Sequence, residues 1–411
     1  MNSMKHKHIR NILLLCLCVA LLCGAAAAEK PAPVSALDTG LRYMDTLPDG
    51  RILLGGFRND PDSGRTPARL LCMNSDMTVS WDVEPEQEHD MAYISAIALP
   101  DGTIAAKLMH LYDDSLPDEL RFFTQDGEPL EREMTLPVNG EYDIFFASET
   151  LLMVTEKDGG DFAPILLFDW DGNKIGRIDG LDLSRTGGMI LKPDGFIQEI
   201  TPEEGTREGK IIRIDFQGNV LWETDLPRTW TTKEAMGCQY MKETDDGEYM
   251  IFQSELMPHN AEGNAESRST LTWLDSSGSV LRTESAVLRD NAELCMDFWE
   301  YEGKYAALLY SYDNDLSGFR LDRFRICWLD GSGRELGTTE LALKPEDFDW
   351  MAEYAQDVAD GKARIEMSPR PGMFAMRDGL WMLADIRIRE NGTGFILGDT
   401  WKDILVRVPE L

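Results

Sequence analysis

Residues 215–227 read DFQGNVLWETDLP, and this stretch has counterparts along most of the chain. The pattern consists of Asp215, Gly218 three residues later, and then Trp222. The aspartate–glycine spacing returns in FDWDGNKIG, LDSSGSVLR and LDGSGRELG. Such a pair is typical of a tight turn, because glycine readily adopts the positive φ that these turns need. The corresponding turn residues are Asp169 and Gly172, Asp275 and Gly278, and Asp330 and Gly333.

A second turn pattern alternates with the first and precedes an apolar run, as in LPDGRILLGG at Gly50 and LPDGTIAAKL at Gly102. Runs rich in Ile, Leu, Val and aromatic residues favour strands. Each unit of about 45–55 residues therefore holds two hairpins, or four strands, and repetition at this length indicates a β-propeller. We predict an all-β fold, a β-propeller of about seven four-stranded blades with a range of six to eight, in a single domain over residues 29–411.

The last unit, at residues 370–408, shows no convincing fourth strand, so we expect residues 31–38 to return and supply it. A short helical insertion is predicted at about 344–364, before the last blade. Pro345 suits the start of a helix, Gly361 suits its end, and Phe348, Met351, Ala355 and Val358 share one helical face. Two interpretations stay open, a cap over a pocket at the central channel or simple packing over a hydrophobic rim.

The first 28 residues have the pattern of a secretory signal peptide: a basic start, an apolar run and an Ala-rich end. Cleavage is expected near Ala28, and acylation of Cys23 as in lipoproteins is the less favoured alternative because Leu22 precedes it. The predicted location is therefore secreted or extracytoplasmic, with no membrane insertion after cleavage. The net charge of −33 argues against nucleic-acid partners and anionic membranes, and we expect a monomer.

Four cysteines follow the signal segment, and each stands alone in a strand-like run: Cys72, Cys238, Cys295 and Cys327. Their spacing does not match a metal site, so buried thiols are the simplest expectation. Because export permits disulfides, Cys238 and Cys295 are the pair that we would test first.

The segment Asp215, Gly218, Leu221 and Trp222 resembles the repeat of quinoprotein-like (PQQ-like) propellers. The other blades keep the turn and mostly lose the tryptophan. In that family the tryptophan docks one blade against the next, so the resemblance implies architecture and not quinone binding.

Function is expected in the long, irregular loops, which all lie on one face, since variable loops on a rigid scaffold commonly carry binding. Trp230, Tyr112 and Tyr312 are candidates for a ligand surface there. Asp313, Asp315 and Ser317 resemble the start of a calcium loop, but Phe324 stands where an EF-hand has its glutamate. No other cofactor is expected.

Catalytic signals are sparse: His89, His110 and His259 show no metal spacing, and no nucleophile motif is present. We therefore predict a secreted, non-catalytic propeller that binds a protein or glycan ligand through its loop-rich face. The alternative is a secreted hydrolase or lyase that acts on a polysaccharide, peptide or sulfate ester at the channel mouth.

Overall fold

A computed structural model describes the chain in segments. These are residues 34–37, 40–58, 66–84 without 75 and 77, 90–111, 118–134 without 133, 142–156, 163–181, 186–201, 209–226, 236–257 without 245, 266–285, 293–311, 319–391 without 342, 349, 377 and 378, and 402–411.

Seven separate four-stranded antiparallel sheets form the molecule, which confirms the predicted all-β propeller. Blade one consists of β2 (Gly40–Thr46), β3 (Ile52–Phe57), β4 (Ala68–Met73) and β5 (Val79–Val83), and blade two of β6 (Met91–Ala98), β7 (Ile104–His110), β8 (Glu119–Phe123) and β9 (Pro129–Leu130). Blade three consists of β10 (Tyr142–Ala147), β11 (Leu152–Glu156), β12 (Ile165–Phe168) and β13 (Lys174–Ile178), and blade four of β14 (Thr186–Lys192), β15 (Gly195–Ile200), β16 (Lys210–Asp215) and β17 (Val220–Asp225). Blade five consists of β18 (Met236–Glu243), β19 (Tyr249–Met257), β20 (Glu266–Leu274) and β21 (Val280–Ser285), and blade six of β22 (Glu293–Tyr301), β23 (Lys304–Ser311), β24 (Phe324–Leu329) and β25 (Glu335–Glu340). Blade seven consists of β26 (Ala363–Met376), β27 (Gly379–Glu390), β28 (Lys402–Arg407) and the early strand β1 (Val34–Leu37).

The two ends of the described chain meet in blade seven. Strand β1 is its outer strand and pairs with β28, with Val34 opposite Leu405 and Leu37 opposite Asp403. The buried Asp403 also reaches blade one, because its Oδ2 accepts a hydrogen bond from the Leu41 amide at 2.7 Å. The expected return of residues 31–38 is thus seen at β1, and it closes the ring.

The aspartate–glycine turns join the third and fourth strands of a blade. In blade four, Oδ1 of Asp215 accepts hydrogen bonds from the amides of Gln217 and Asn219 at 2.9 and 2.8 Å, and Gly218 has a φ of 85°. Asp169, Asp275 and Asp330 accept corresponding bonds in blades three, five and six. Side-chain hydrogen bonds to these carboxylates, together with the amide bonds, stabilise the ionised form and hold the pKa of each below its usual value; the side-chain donors are Asn173, Asn219, Ser277 and Ser332.

Trp222, on the outer strand of blade four, packs against blade five. A Cβ placed on Gly278 would come within 2.5 Å of the Trp222 ring, so glycine is required there both for space and for its φ of 83°. The Trp222 ring also lies 6.1 Å from the ring of Tyr249, centroid to centroid, in blade five. Trp81 makes the equivalent contact from blade one, since its Nε1 donates to the Gln125 carbonyl at 2.9 Å and its ring covers Gly127.

The hydrophobic core lies between neighbouring blades and not at one central point. The middle strands are buried on both sides, as in β12 and β15, whereas the outer strand β21 is exposed throughout. Each sheet therefore presents apolar side chains to two neighbours, and the ring arrangement covers both faces.

The predicted helical insertion is present before blade seven but is mostly not α-helical. It contains two short 3-10 turns, Pro345–Asp347 and Ala352–Tyr354, followed by one α-helix, α1 (Ala355–Ala359). Phe348 and Met351 are buried in the core shared by blades six and seven, which supports the packing interpretation. The helix ends at Ala359, and Gly361 follows as the predicted stop, with a φ of 69° and an amide that donates to Val358 O at 3.1 Å.

Three of the four cysteines have described side chains. Cys72, Cys295 and Cys327 are buried as thiols, and burial raises the pKa of Cys72 to about 11. Within the described segments, no cluster of three or more metal-ligating side chains is found. No helix in those segments is long and apolar enough to cross a membrane.

Candidate functional site

The tight turns join strand ends on one face of the ring, and the other described strand ends lie on the opposite face, since antiparallel strands alternate in direction. The predicted ligand residues Trp230, Tyr112 and Tyr312 lie outside the described residues. The same is true of the candidate calcium ligands Asp313, Asp315 and Ser317. Both predictions therefore stay predictions.

A cleft of about 750 Å³ lies between blades six and seven. Glu293, Ser311 and Glu340 contribute to it from strand ends of blade six, and Ala363 from the first residue of β26. Val358 of α1 also lines the cleft, so the insertion forms one of its walls. A volume of this size lies within the usual range for sites that bind small ligands.

The floor of the cleft is apolar. Leu321, Phe324, Leu341, Leu343 and Ile365 line it, and all five are at most 8% exposed. These residues come from the 3-10 turn Leu321–Arg323 and the first residue of β24, from the crossover between the two blades and from the start of β26. The floor is part of the largest buried core cluster, which fixes its shape.

The rim is basic, although the chain as a whole carries a net charge of −33. Five basic and three acidic side chains line the cleft, a balance of +2. The basic residues are Arg320, Arg323, Arg325, Lys344 and Arg364, and the acidic residues are Glu293, Asp322 and Glu340. The cleft therefore attracts anions while most of the surface repels them.

Arg325 is held by a buried glutamate. Its Nε and Nη2 both donate to the carboxylate of Glu293, the first to Oε1 at 2.5 Å. Burial disfavours the charged guanidinium, but the bonds and the negative charge of Glu293 outweigh this and raise the Arg325 pKa. The remaining nitrogen, Nη1, is buried and has no hydrogen-bond partner among the described residues.

A second charge cluster adjoins the cleft at blade seven. Glu366 is 1% exposed, and its carboxylate accepts hydrogen bonds from Arg364, Arg387 and Arg389 at 2.9 to 3.1 Å. One negative charge thus faces three positive charges, an excess of +2. Arg364 belongs both to the cleft lining and to the Glu366 cluster. Its Nη1 also donates to Asn391 Oδ1 at 3.2 Å.

The walls are fixed by bonds between chain segments. The Met367 amide donates to Phe319 O at 2.8 Å, and Arg320 forms a β-bridge with Glu366. The Asn391 side chain also donates to the Gly361 carbonyl at 3.0 Å, which ties the end of the insertion to β27. The arginines are therefore held in place before any ligand arrives.

The sequence predictions did not include this cleft. A signal is nevertheless present, because Arg323 and Arg325, Arg387 and Arg389, and Arg364 and Glu366 are spaced two apart in or next to strands. Residues with that spacing lie on one face of a strand. Of the three histidines that follow the signal segment, the described His110 lies elsewhere, buried in blade two with its Nε2 3.9 Å from Glu119 Oε1.

Comparison with known proteins finds similar solved structures at low identity. No protein-family model and no curated protein matches the chain. The β-propeller domain of the Trilobed protease from Pyrococcus furiosus is 9% identical, with a TM-score of 0.48 over 87% of this chain and 94% of that one. A prolyl endopeptidase is 13% identical, with a TM-score of 0.44 over 86% and 47%. An acylaminoacyl peptidase from Pyrococcus horikoshii is 11% identical, with a TM-score of 0.46 over 89% and 54%. This chain spans about half the length of the last two.

This finding corrects the function predicted from the sequence. The sequence predicts a non-catalytic binding propeller, with a hydrolase or lyase acting on a polysaccharide, peptide or sulfate ester as the alternative, whereas the similar propellers belong to peptidases. The prediction of a non-catalytic binding propeller is wrong against the comparison. At 9 to 13% identity the likeness shows the fold alone, so it assigns no activity to this chain.

Proposed function

We propose that this chain is a peptidase-related propeller that holds a peptide in the cleft between blades six and seven. The observation that carries the proposal is the cleft itself, with its volume of about 750 Å³, its apolar floor and its basic rim. A peptide matches such a lining, because the floor buries its apolar side chains and the arginines donate hydrogen bonds to its backbone carbonyls.

The composition of the lining favours a peptide over a neutral glycan. Sugars commonly stack on exposed aromatic rings, and Phe324 is the one aromatic among the described residues that line the cleft. Phe324 is only 4% exposed. Peptide cleavage is not assigned to any residue of this chain.

A binding experiment with a matched control tests this role. A pool of octapeptides with an N-terminal fluorophore is titrated with protein, and anisotropy is recorded. Val358→Trp fills the cleft from α1, whereas Leu221→Trp adds the same ring at a 52% exposed position on blade four. We expect saturable binding to the wild type, at least about tenfold weaker binding to Val358→Trp, and unchanged binding to Leu221→Trp. Absence of binding to the wild type, or equal binding to Val358→Trp, would refute the proposal.

Two further features belong to the proposal. The likeness of Asp215, Gly218 and Trp222 to the PQQ-like repeat is taken as one of architecture, supported by the Trp222–Gly278 contact. An absorbance titration with the quinone is expected to show no saturable binding. Export through residues 1–28 is tested by N-terminal sequencing of the mature protein, which is expected to begin near Glu29.

A further inference from the structure

We infer that the cleft recognises the free C-terminal carboxylate of a peptide whose last residue is apolar. This inference rests on the proposed peptide-holding function and names the part of the peptide that is read. It depends on the placement of the arginines beside the apolar floor, and not on the size of the cleft.

Arg325 provides the first donor. Two of its nitrogens are fixed by Glu293, which aligns the planar guanidinium and leaves Nη1 as the nitrogen that Glu293 does not bind. Nη1 is buried without a hydrogen-bond partner among the described residues, and an unpaired buried donor is energetically costly. A carboxylate oxygen would satisfy it with a charge-assisted bond, which is stronger than a bond to a neutral acceptor.

Arg364 provides the second donor. Its Nε and Nη2 bind Glu366, and its Nη1 donates to the exposed Asn391 side chain at 3.2 Å, a long bond to a neutral amide. A carboxylate is a better acceptor than an amide oxygen and can replace Asn391 at Nη1. Glu366 keeps the guanidinium oriented during that exchange.

The local charge also favours an anion. The lining has a balance of +2, and the adjoining cluster of Arg387, Arg389 and Glu366 contributes a further +1. Elsewhere the acidic surface repels a ligand with many negative charges. The site therefore fits a ligand with a single carboxylate better than a strongly acidic one.

The apolar floor narrows the choice further. Leu341, Leu343 and Ile365 lie in the same cleft as the two arginines. A peptide C-terminus carries a carboxylate and a side chain on the same carbon, so an apolar last residue satisfies both parts of the site. An inorganic anion lacks the apolar part, and an internal Asp or Glu is flanked by peptide backbone on both sides.

The test compares one peptide in two forms. An N-terminally labelled peptide ending in Val-Leu is prepared as the free acid and as the C-terminal amide, and both are titrated by anisotropy. We expect the free acid to bind at least about tenfold more tightly to the wild type. The preference should fall to near unity in Arg325→Lys and in Arg364→Gln, because each loses a positioned donor. Thermal melts show whether each variant is folded. Lys344→Gln, at an exposed rim position, serves as a third variant and should reduce the preference partially.

The outcomes separate the inference from the function on which it rests. Equal binding of acid and amide overturns the inference while peptide holding stands. Binding of neither form overturns the proposed function. An amidated peptide with an internal glutamate that binds as tightly as the free acid overturns recognition of the terminus. Decanoate that competes as strongly as the free-acid peptide shows that a fatty acid, and not a peptide, is the source of the carboxylate.

Discussion

Glu366→Gln tests the electrostatics of blade seven. The substitution keeps the size and one acceptor oxygen of the side chain but removes its charge. Glu366 accepts four hydrogen bonds from three guanidiniums and is 1% exposed, while the arginine side chains are 14 to 20% exposed. Without the carboxylate, three positive charges face one another at the end of a long hairpin with reduced solvent screening.

The expected cost is about 3–5 kcal/mol of unfolding free energy, the usual range when one partner of a buried ion pair is removed. The unfolding entropy near the melting point is about 2.1 cal/mol/K per residue, so a chain of 411 residues has about 0.9 kcal/mol/K. The cost therefore corresponds to a fall in Tm of about 3–6 °C. Differential scanning calorimetry measures this directly.

Two controls separate charge imbalance from general damage. Glu340→Gln, at an exposed position of the same cleft, should change the unfolding free energy by less than about 0.5 kcal/mol. The double variant Glu366→Gln with Arg387→Gln removes one excess positive charge and should recover part of the lost Tm. A Glu366→Gln protein that melts within 1 °C of the wild type would show that the cluster does not stabilise the blade.

The remaining predictions concern the turns and the contacts between blades. Gly278→Ala should cost more unfolding free energy than Gly247→Ala, because both have positive φ but only Gly278 faces a ring at 2.5 Å; equal urea midpoints would contradict this. Trp222→Ala should cost about 2 kcal/mol, below the range of about 3–5 for a fully buried tryptophan, while Leu221→Ala should change little at 52% exposure. The lowered pKa values of the turn aspartates stabilise the fold above their ordinary value of 3.8, and this stabilisation is lost as pH falls through the lower folded values. Asp215→Asn should therefore show a smaller loss of urea stability between about pH 5 and pH 2 than the wild type, and an identical slope would rule out this contribution.

The fold could be predicted from the sequence because its decisive signals are local. An aspartate and a glycine three residues apart suffice to specify a turn, and Gly172, Gly218, Gly278 and Gly333 all adopt φ between 82 and 85°. Strand β1 could be expected because a four-strand repeat leaves one place empty in blade seven. The insertion was predicted in position and as a short helix, and α1 is present there, preceded by two short 3-10 turns beside the buried Phe348 and Met351.

The cleft could not be predicted in the same way, because its residues come from distant parts of the chain. Glu293 and Arg325 are 32 residues apart, and Glu366 and Arg389 are 23 apart. These residues come together in one cleft only because blade six packs against blade seven, and no local sequence pattern predicts that packing. The strongly acidic composition also obscures a basic site, because an average over the whole chain has the opposite sign.

The ring is closed by segments that are far apart in the chain: Leu41 and Asp403, joined by a hydrogen bond, are 362 positions apart. Bringing such distant points together costs about 5 kcal/mol in loop entropy, so this contact is expected to form last during folding. Until it forms, β28 has an unpaired edge and β1 has no sheet. Only residues 38 and 39 separate β1 from β2, so β1 can pair with β28 only when blade one already lies beside blade seven. An exposed β28 edge is therefore a feature of the incompletely closed ring, and unpaired strand edges are the sites at which partly folded chains aggregate.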